Sequence, residues 1–135
     1  MLNRRTLLSH ITLAVSALSL AAATGLTVSA AHAEGLKIGF SQVTLQSPFY
    51  VQLRNGAEAA AEAGGDTLIF LDANGDVSKQ NNDIQDLITQ GVDALIINPV
   101  NPDAVVPSVE AAIAAGIPVI TVDRSVHGDG VTAHI

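Results

Sequence analysis

From residue 36 onward, short apolar runs alternate with stretches whose apolar residues recur every three or four positions. The runs fall at 36–43 (Leu-Lys-Ile-Gly-Phe-Ser-Gln-Val), 67–71 (Thr-Leu-Ile-Phe-Leu), 92–97 (Val-Asp-Ala-Leu-Ile-Ile) and 117–124 (Ile-Pro-Val-Ile-Thr-Val-Asp-Arg), and a fifth opens at 131–135. Each reads as a strand, and the scarcity of polar residues in them suits a sheet covered on both faces. Between the first two, Ser47-Pro48 is a helix start, because Ser caps free amides and Pro suits the first helical position. That helix runs to about residue 63, with Phe49, Leu53, Ala57 and Ala60 on one face, Glu58 and Glu62 solvated on another, and Gly64-Gly65 as its stop. A second helix is capped by Asp76 or Ser78, carries the narrow apolar stripe Ile84, Leu87 and Ile88, and ends near Gln90 before Gly91. A third starts at Asn101-Pro102-Asp103, buries Val105, Val106, Val109 and Ile113, and stops at Gly116. Strand starts near 36, 67, 92 and 117 therefore mark repeated βα units. Such units build an α/β fold: a doubly wound parallel sheet with helices on both faces.

The beginning of the chain does not fit that rhythm. Asn3-Arg4-Arg5 is a short basic start, residues 7–28 are largely apolar and uncharged, and Ala31-His32-Ala33 has the small-x-small form of a signal-peptidase site. This predicts a signal peptide over 1–33, cleaved after Ala33, and a mature chain from Glu34 with no stable membrane anchor. A retained anchor is the rival, since the apolar run is nearly long enough to span a bilayer. Arg4-Arg5-Thr6-Leu7-Leu8 is faintly similar to a twin-arginine signal, so the general and twin-arginine export routes both stay open.

Charge follows the same division. All 13 acidic residues lie beyond Ala33, and removing Arg4 and Arg5 from the six basic residues leaves four, a net of −9. Such a surface repels nucleic acid. With no cysteine there are no disulfides, thiolate metal sites or lipidated thiol, so the core must hold the fold. Aromatic residues are only 3% of the chain, which gives weight to any that stand near a proposed site.

Several chemistries lack their motifs. There is no G-x-G-x-x-G after the first strand, no P-loop, and Gly39-Phe40-Ser41 does not complete a nucleophile elbow. The turn at 72–76 (Asp-Ala-Asn-Gly-Asp) places its glycine too early for a calcium loop, and Asp83 stands where the closing Glu belongs. His127 and His134 have no partner at helical ligand spacing and read as structural. Asp83 and Asp86 share a helix face and read as a solvated surface. No nucleophile, base and oxyanion site come together, so the chain reads as a binding protein without a cofactor or metal and not as an enzyme.

What remains is polar and aromatic chemistry at strand ends, where open α/β sheets bind ligands. Ser41 lies near the end of the first strand, Ser47, Phe49 and Tyr50 open the first helix, and Asp123 and Arg124 close the fourth strand. A carboxylate accepts hydrogen bonds and a guanidinium donates several in a fixed fork, a pairing suited to a hydroxyl-rich small molecule. The same two residues also suit a turn followed by a surface arginine. Ser-Pro-Phe-Tyr after the first strand, Ile-Asn-Pro after the third and Ile-Pro-Val-Ile-Thr-Val-Asp-Arg at the fourth together resemble the periplasmic ribose-binding protein family, the sugar-binding components of ABC importers, and the resemblance spans 36–135.

The resemblance implies a type I periplasmic-binding-protein fold, a monosaccharide ligand, a periplasmic location and a membrane permease partner. It implies that Asp123 and Arg124 hydrogen-bond sugar hydroxyls, that Phe49 and Tyr50 pack on the sugar's apolar faces, and that Ser47 stands where ribose binders usually carry Asn. That last difference leaves pentoses and hexoses other than ribose open. Family members have two lobes with the sugar between them, so this chain is expected to be a single incomplete first lobe of a truncated protein that binds sugar very weakly or not at all alone. Two other classes share the architecture: the sensing domain of a sugar-responsive transcription regulator, which would need a helix-turn-helix and a basic face, and a small flavodoxin-like enzyme, which would need a catalytic constellation.

Overall fold

The computed structural model describes residues 35–135. The expected signal peptide and its cleavage point after Ala33 lie outside the described residues. The elements in chain order are β1 (Lys37–Gln42), α1 (Pro48–Gly64), β2 (Thr67–Asp72), α2 (Val77–Thr89), β3 (Ala94–Ile97), α3 (Val106–Ala114), β4 (Val119–Thr121) and β5 (Ala133–His134). All five strands are parallel, in the order β2-β1-β3-β4-β5. The order reverses at β1, and in doubly wound sheets that reversal opens a ligand crevice at the carboxyl ends of the central strands.

The register assigns the two faces. Gly39 of β1 turns toward α2, where a β-carbon would meet both methyl carbons of Leu87 at 3.0 and 3.1 Å, so helix and strand approach closely only because the residue is Gly. On that face Leu95, Ile97 and Val119 join Ile84, Leu87, Val105, Val109 and Ala112 in one buried core, beneath α2 and α3. On the opposite face Phe40 meets Phe70 edge-on at 5.2 Å, with the Arg54 guanidinium of α1 lying 5.8 Å above the Phe70 ring. Helices thus cover both faces, as the βα repeat requires. One helix serves the α1 face, so Ile96 and Ile120 there stay half-buried.

Local chemistry explains the ends of the helices and corrects four expectations. Gly65 terminates α1 in the left-handed region at φ 74°, where Asp66 N–H reaches back to Ala61 O at 2.8 Å. Ser47 precedes α1 as expected, but its hydroxyl makes no capping bond. The buried position of α1 is Ala61, while Phe49 and Ala60 are exposed, so the apolar face is rotated from the one that spacing suggested. Asp76, not Ser78, caps α2 by accepting from Lys79 N at 2.9 Å.

Asn101 does cap a turn, taking Asp103 N and Ala104 N at 2.9 and 3.0 Å, yet α3 begins only at Val106. Pro107 has no N–H to donate to the Asp103 carbonyl, which breaks the ladder that would have joined turn to helix. Asp83, read as solvated, is buried at 7% exposure and bound by Lys79 Nζ at 2.7 Å. The Asp72 carboxylate, in the loop that failed the calcium pattern, accepts from Asn74 N at 2.8 Å.

Candidate functional site

β4 ends in a tight reversal. Asp123 holds φ at 63°, a region L-residues rarely occupy and Asp tolerates better than most. Arg124 N–H closes back onto Val122 O at 2.6 Å, and Asp123 N–H is taken by Ile135 O beyond β5 at 3.0 Å. β5 therefore pins the backbone that presents the acid. The reversal sends two adjacent side chains out over the carboxyl edge of the sheet, where a continuing strand would have sent them to opposite faces.

There they meet the start of α1. Tyr50 donates its hydroxyl to Asp123 Oδ2 at 3.3 Å, and Arg124 Nη2 donates to the Tyr50 oxygen at 3.2 Å. Arg124 Nε lies 3.9 Å from the same carboxylate oxygen, with the side chains 44% and 31% exposed. Arg124 Nη1 also reaches the Pro99 and Val100 carbonyls, both at 3.4 Å, in the loop after β3. Phe49 stands edge-on to Tyr50 at 5.3 Å and is 58% exposed, an apolar ring left bare beside charged hydrogen-bonding groups. An acceptor, a fork of donors and an aromatic surface side by side match a molecule with hydroxyls along its rim and C–H patches on its faces.

Of the six residues read from the sequence, Tyr50, Asp123 and Arg124 form one hydrogen-bonded group, and Phe49 contacts it through Tyr50. Ser47 sits half-buried two residues before Phe49 with its hydroxyl uncommitted to capping. Ser41 does not join them, a correction to the sequence reading. It is fully buried on the α2 side of the sheet and receives a hydrogen bond from Gln80 Nε2 at 3.3 Å. A one-residue step along a strand changes the face a side chain points to, and Ser41 faces α2, away from Tyr50.

Two residues outside the six read from the sequence belong to this edge. Asn98, fully buried after β3, donates from Nδ2 to Asp123 Oδ2 at 3.3 Å, so the carboxylate oxygen that Tyr50 binds is held from beneath as well. Gln80 of α2, also fully buried, donates to the Asn98 carbonyl at 2.9 Å and accepts from Val100 N at 2.7 Å. The available signal was position: Gln80 precedes Ile84 by one turn, so a polar residue occupies the apolar stripe of α2. Asn98 carried no such signal, because Asn-Pro after a strand is ordinary turn chemistry. Gln42 Nε2 and Asn98 Oδ1, at the ends of adjacent strands, are buried without a hydrogen-bond partner among the described residues.

Residues 38–134 match the model of the periplasmic binding protein domain. The chain is 51% identical over 88 residues to the ribose import binding protein of Bacillus subtilis, covering 65% of this chain and 29% of that protein. Among solved structures, it is similar to an ABC transporter solute binding protein from Mycobacterium smegmatis with bound glycerol, at 59% identity and a TM-score of 0.72, covering 75% of this chain and 35% of that one. It is also similar to the Caulobacter myo-inositol binding protein bound to myo-inositol, at 30% identity and a TM-score of 0.70, covering 74% and 34%. The chain thus spans about a third of the length of these relatives.

Proposed function

The chain belongs to the periplasmic binding protein domain family, and on that premise we propose that it is the exported substrate-binding component of an ABC-type importer for a monosaccharide or closely related polyol. The observation that carries this reading is the joining of Tyr50, Asp123 and Arg124 at the carboxyl edge of the sheet, beside the bare ring of Phe49. Ribose, glycerol and myo-inositol, the compounds named for the relatives, share neighbouring hydroxyls on a small carbon skeleton. Each hydroxyl can accept from the Arg124 guanidinium and donate to the Asp123 carboxylate, and the C–H side of the ligand can lie on Phe49. No nucleophile or base is needed, and the role is binding without chemical turnover.

The site residues lie on a shelf with Phe49, Asp123 and Arg124 all solvent-exposed. A sugar resting there keeps much of its water, and each protein hydrogen bond replaces one it already had. The affinity expected for this chain alone is therefore no tighter than on the order of 1 mM. Residues 1–33 act as the signal peptide and 34–135 as the first lobe of the sugar-binding unit. A permease in the inner membrane is the partner in transport.

The test is NMR titration of the chain with D-ribose, xylitol and myo-inositol. Fast-exchange shifts should be confined to residues 47–50 and 121–124 and should vanish in Phe49→Ala. Shifts elsewhere, or none at saturating excess of any polyol, would refute the reading, and micromolar affinity would refute the argument from exposure. Osmotic-shock release of a chain beginning at Glu34 tests the export; retention in the cytoplasm would overturn it.

A further inference from the structure

The binding pair does not hold itself in place. Arg124 Nη1 is fixed by two backbone carbonyls, Pro99 O and Val100 O, both at 3.4 Å. Asp123 is fixed from beneath by the Asn98 amide at 3.3 Å. Besides Tyr50, which bonds to both, these three anchors lie on residues 98–100, a loop at the end of a short strand, with Pro99 unable to donate to any ladder. The backbone of β1 holds one end, Asn98 N–H donating to Ser41 O at 2.9 Å, and Gln80 grips the rest. Its Nε2 donates to Asn98 O at 2.9 Å and its Oε1 accepts from Val100 N at 2.7 Å, so one amide grips the loop at both ends. The same Nε2 reaches Ser41 Oγ at 3.3 Å, tying the grip to β1. Gln80 is fully buried, and its bond to the Asn98 carbonyl is buried with it.

We propose that Gln80 is the positioning residue of the sugar site, fixing through residues 98–100 where the Arg124 guanidinium and the Asp123 carboxylate point. The proposal deepens the sugar-binding reading and rests on it for its purpose, though not for its geometry. The side chain suits the task chemically. It offers one donor and one acceptor on a single planar end, matching a carbonyl and an N–H two residues apart. Glu keeps the acceptor and, when ionised, loses the donor. Leu keeps the shape and loses both. Gln80 touches no ligand: its influence on binding passes through Arg124 and Asp123.

Two measurements on the whole chain test it. In the absence of sugar, the guanidinium resonances of Arg124 should be resolved and slowed by their carbonyl contacts in the wild type. They should collapse toward a freely rotating arginine in Gln80→Leu, shift by less in Gln80→Glu, and leave those of Arg54 unmoved. In the second measurement, with D-ribose as probe, Gln80→Leu should weaken binding by roughly tenfold in the wild-type background and by no more than about twofold in the Arg124→Ala background. Arg124 resonances unchanged in Gln80→Leu, or an equal loss of ribose affinity in both backgrounds, would overturn the proposal. If Gln80→Leu does not fold, Gln80→Glu decides: an unmoved Arg124 refutes the proposal and a shifted one supports it. If the wild type binds no polyol while Arg124 still responds to Gln80, the positioning stands and the sugar reading falls.

Discussion

Asp123 carries two burdens that three substitutions separate. Its backbone sits at φ 63°, where a residue with a β-carbon is disfavoured by roughly 1–2 kcal/mol and Asp or Asn by less, because their short polar side chains bond locally. Its Oδ2 accepts from the Tyr50 hydroxyl and from Asn98 Nδ2, each at 3.3 Å. Water can replace the acceptor at Tyr50, which is only half-buried, but not at Asn98, which is fully buried. Leaving a buried donor unsatisfied costs about 1–3 kcal/mol. Asp123→Ala meets both penalties and should destabilise the chain by about 2–4 kcal/mol. Asp123→Gly removes the backbone strain but still abandons Asn98, for about 1–2 kcal/mol. Asp123→Asn keeps an acceptor and the tolerance of the left-handed region, and should stay within about 1 kcal/mol of wild type. Urea unfolding followed by far-UV circular dichroism, with a common slope for all variants, gives the three values directly. If Gly proves as damaging as Ala, the backbone is not strained. If Asn proves as damaging as Ala, charge matters and the hydrogen bond to Asn98 does not. Either result refutes the reasoning, whatever happens to sugar binding.

Two further outcomes test the frame beneath the site. Leu87→Ala should cost about 2–5 kcal/mol in the same assay, since the side chain is fully buried against Gly39. Adding Gly39→Ala should then recover about 0.5–3 kcal/mol relative to the sum of the single changes, because the new methyl enters the space Leu87 vacated; simple additivity would show that the two do not pack as described. Asp76→Ala should lose about 1 kcal/mol with its bond to Lys79 N. Ser47→Ala should stay within about 0.5 kcal/mol, since that hydroxyl caps nothing, and equal losses at the two helix starts would refute this assignment of the caps.

Much of the site was legible because its chemistry is local. Ser-Pro-Phe-Tyr must open a helix, and an apolar run ending in Asp-Arg must put those groups at a strand end. Parallel βα order then sends both to the same edge of the sheet. Ser41 stands apart from the group because reaching the edge and facing Tyr50 are separate conditions, and the second depends on which way each strand residue turns. The roles of Gln80 and Asn98 were not legible because they lie in partners 18 and 25 residues away. A glutamine on the apolar stripe of α2 signals burial, but not which loop of another unit its amide will meet. The delay in α3 was legible in principle, since Pro107 alone forbids the bond that would have joined the capped turn to the helix.

The order of elements, the parallel sheet, the acidic surface and the residue types at the strand ends were determined by the sequence alone. Hydrophobic periodicity, helix stops and charge act over a few residues and need no knowledge of the rest. The rotation of α1, the turn of Asp123 into the left-handed region, the meeting of Tyr50 with Asp123 and Arg124, and the grip of Gln80 on the loop after β3 were decided only by the tertiary structure. Each depends on contacts between groups distant in the chain, and no local pattern encodes which of them will meet.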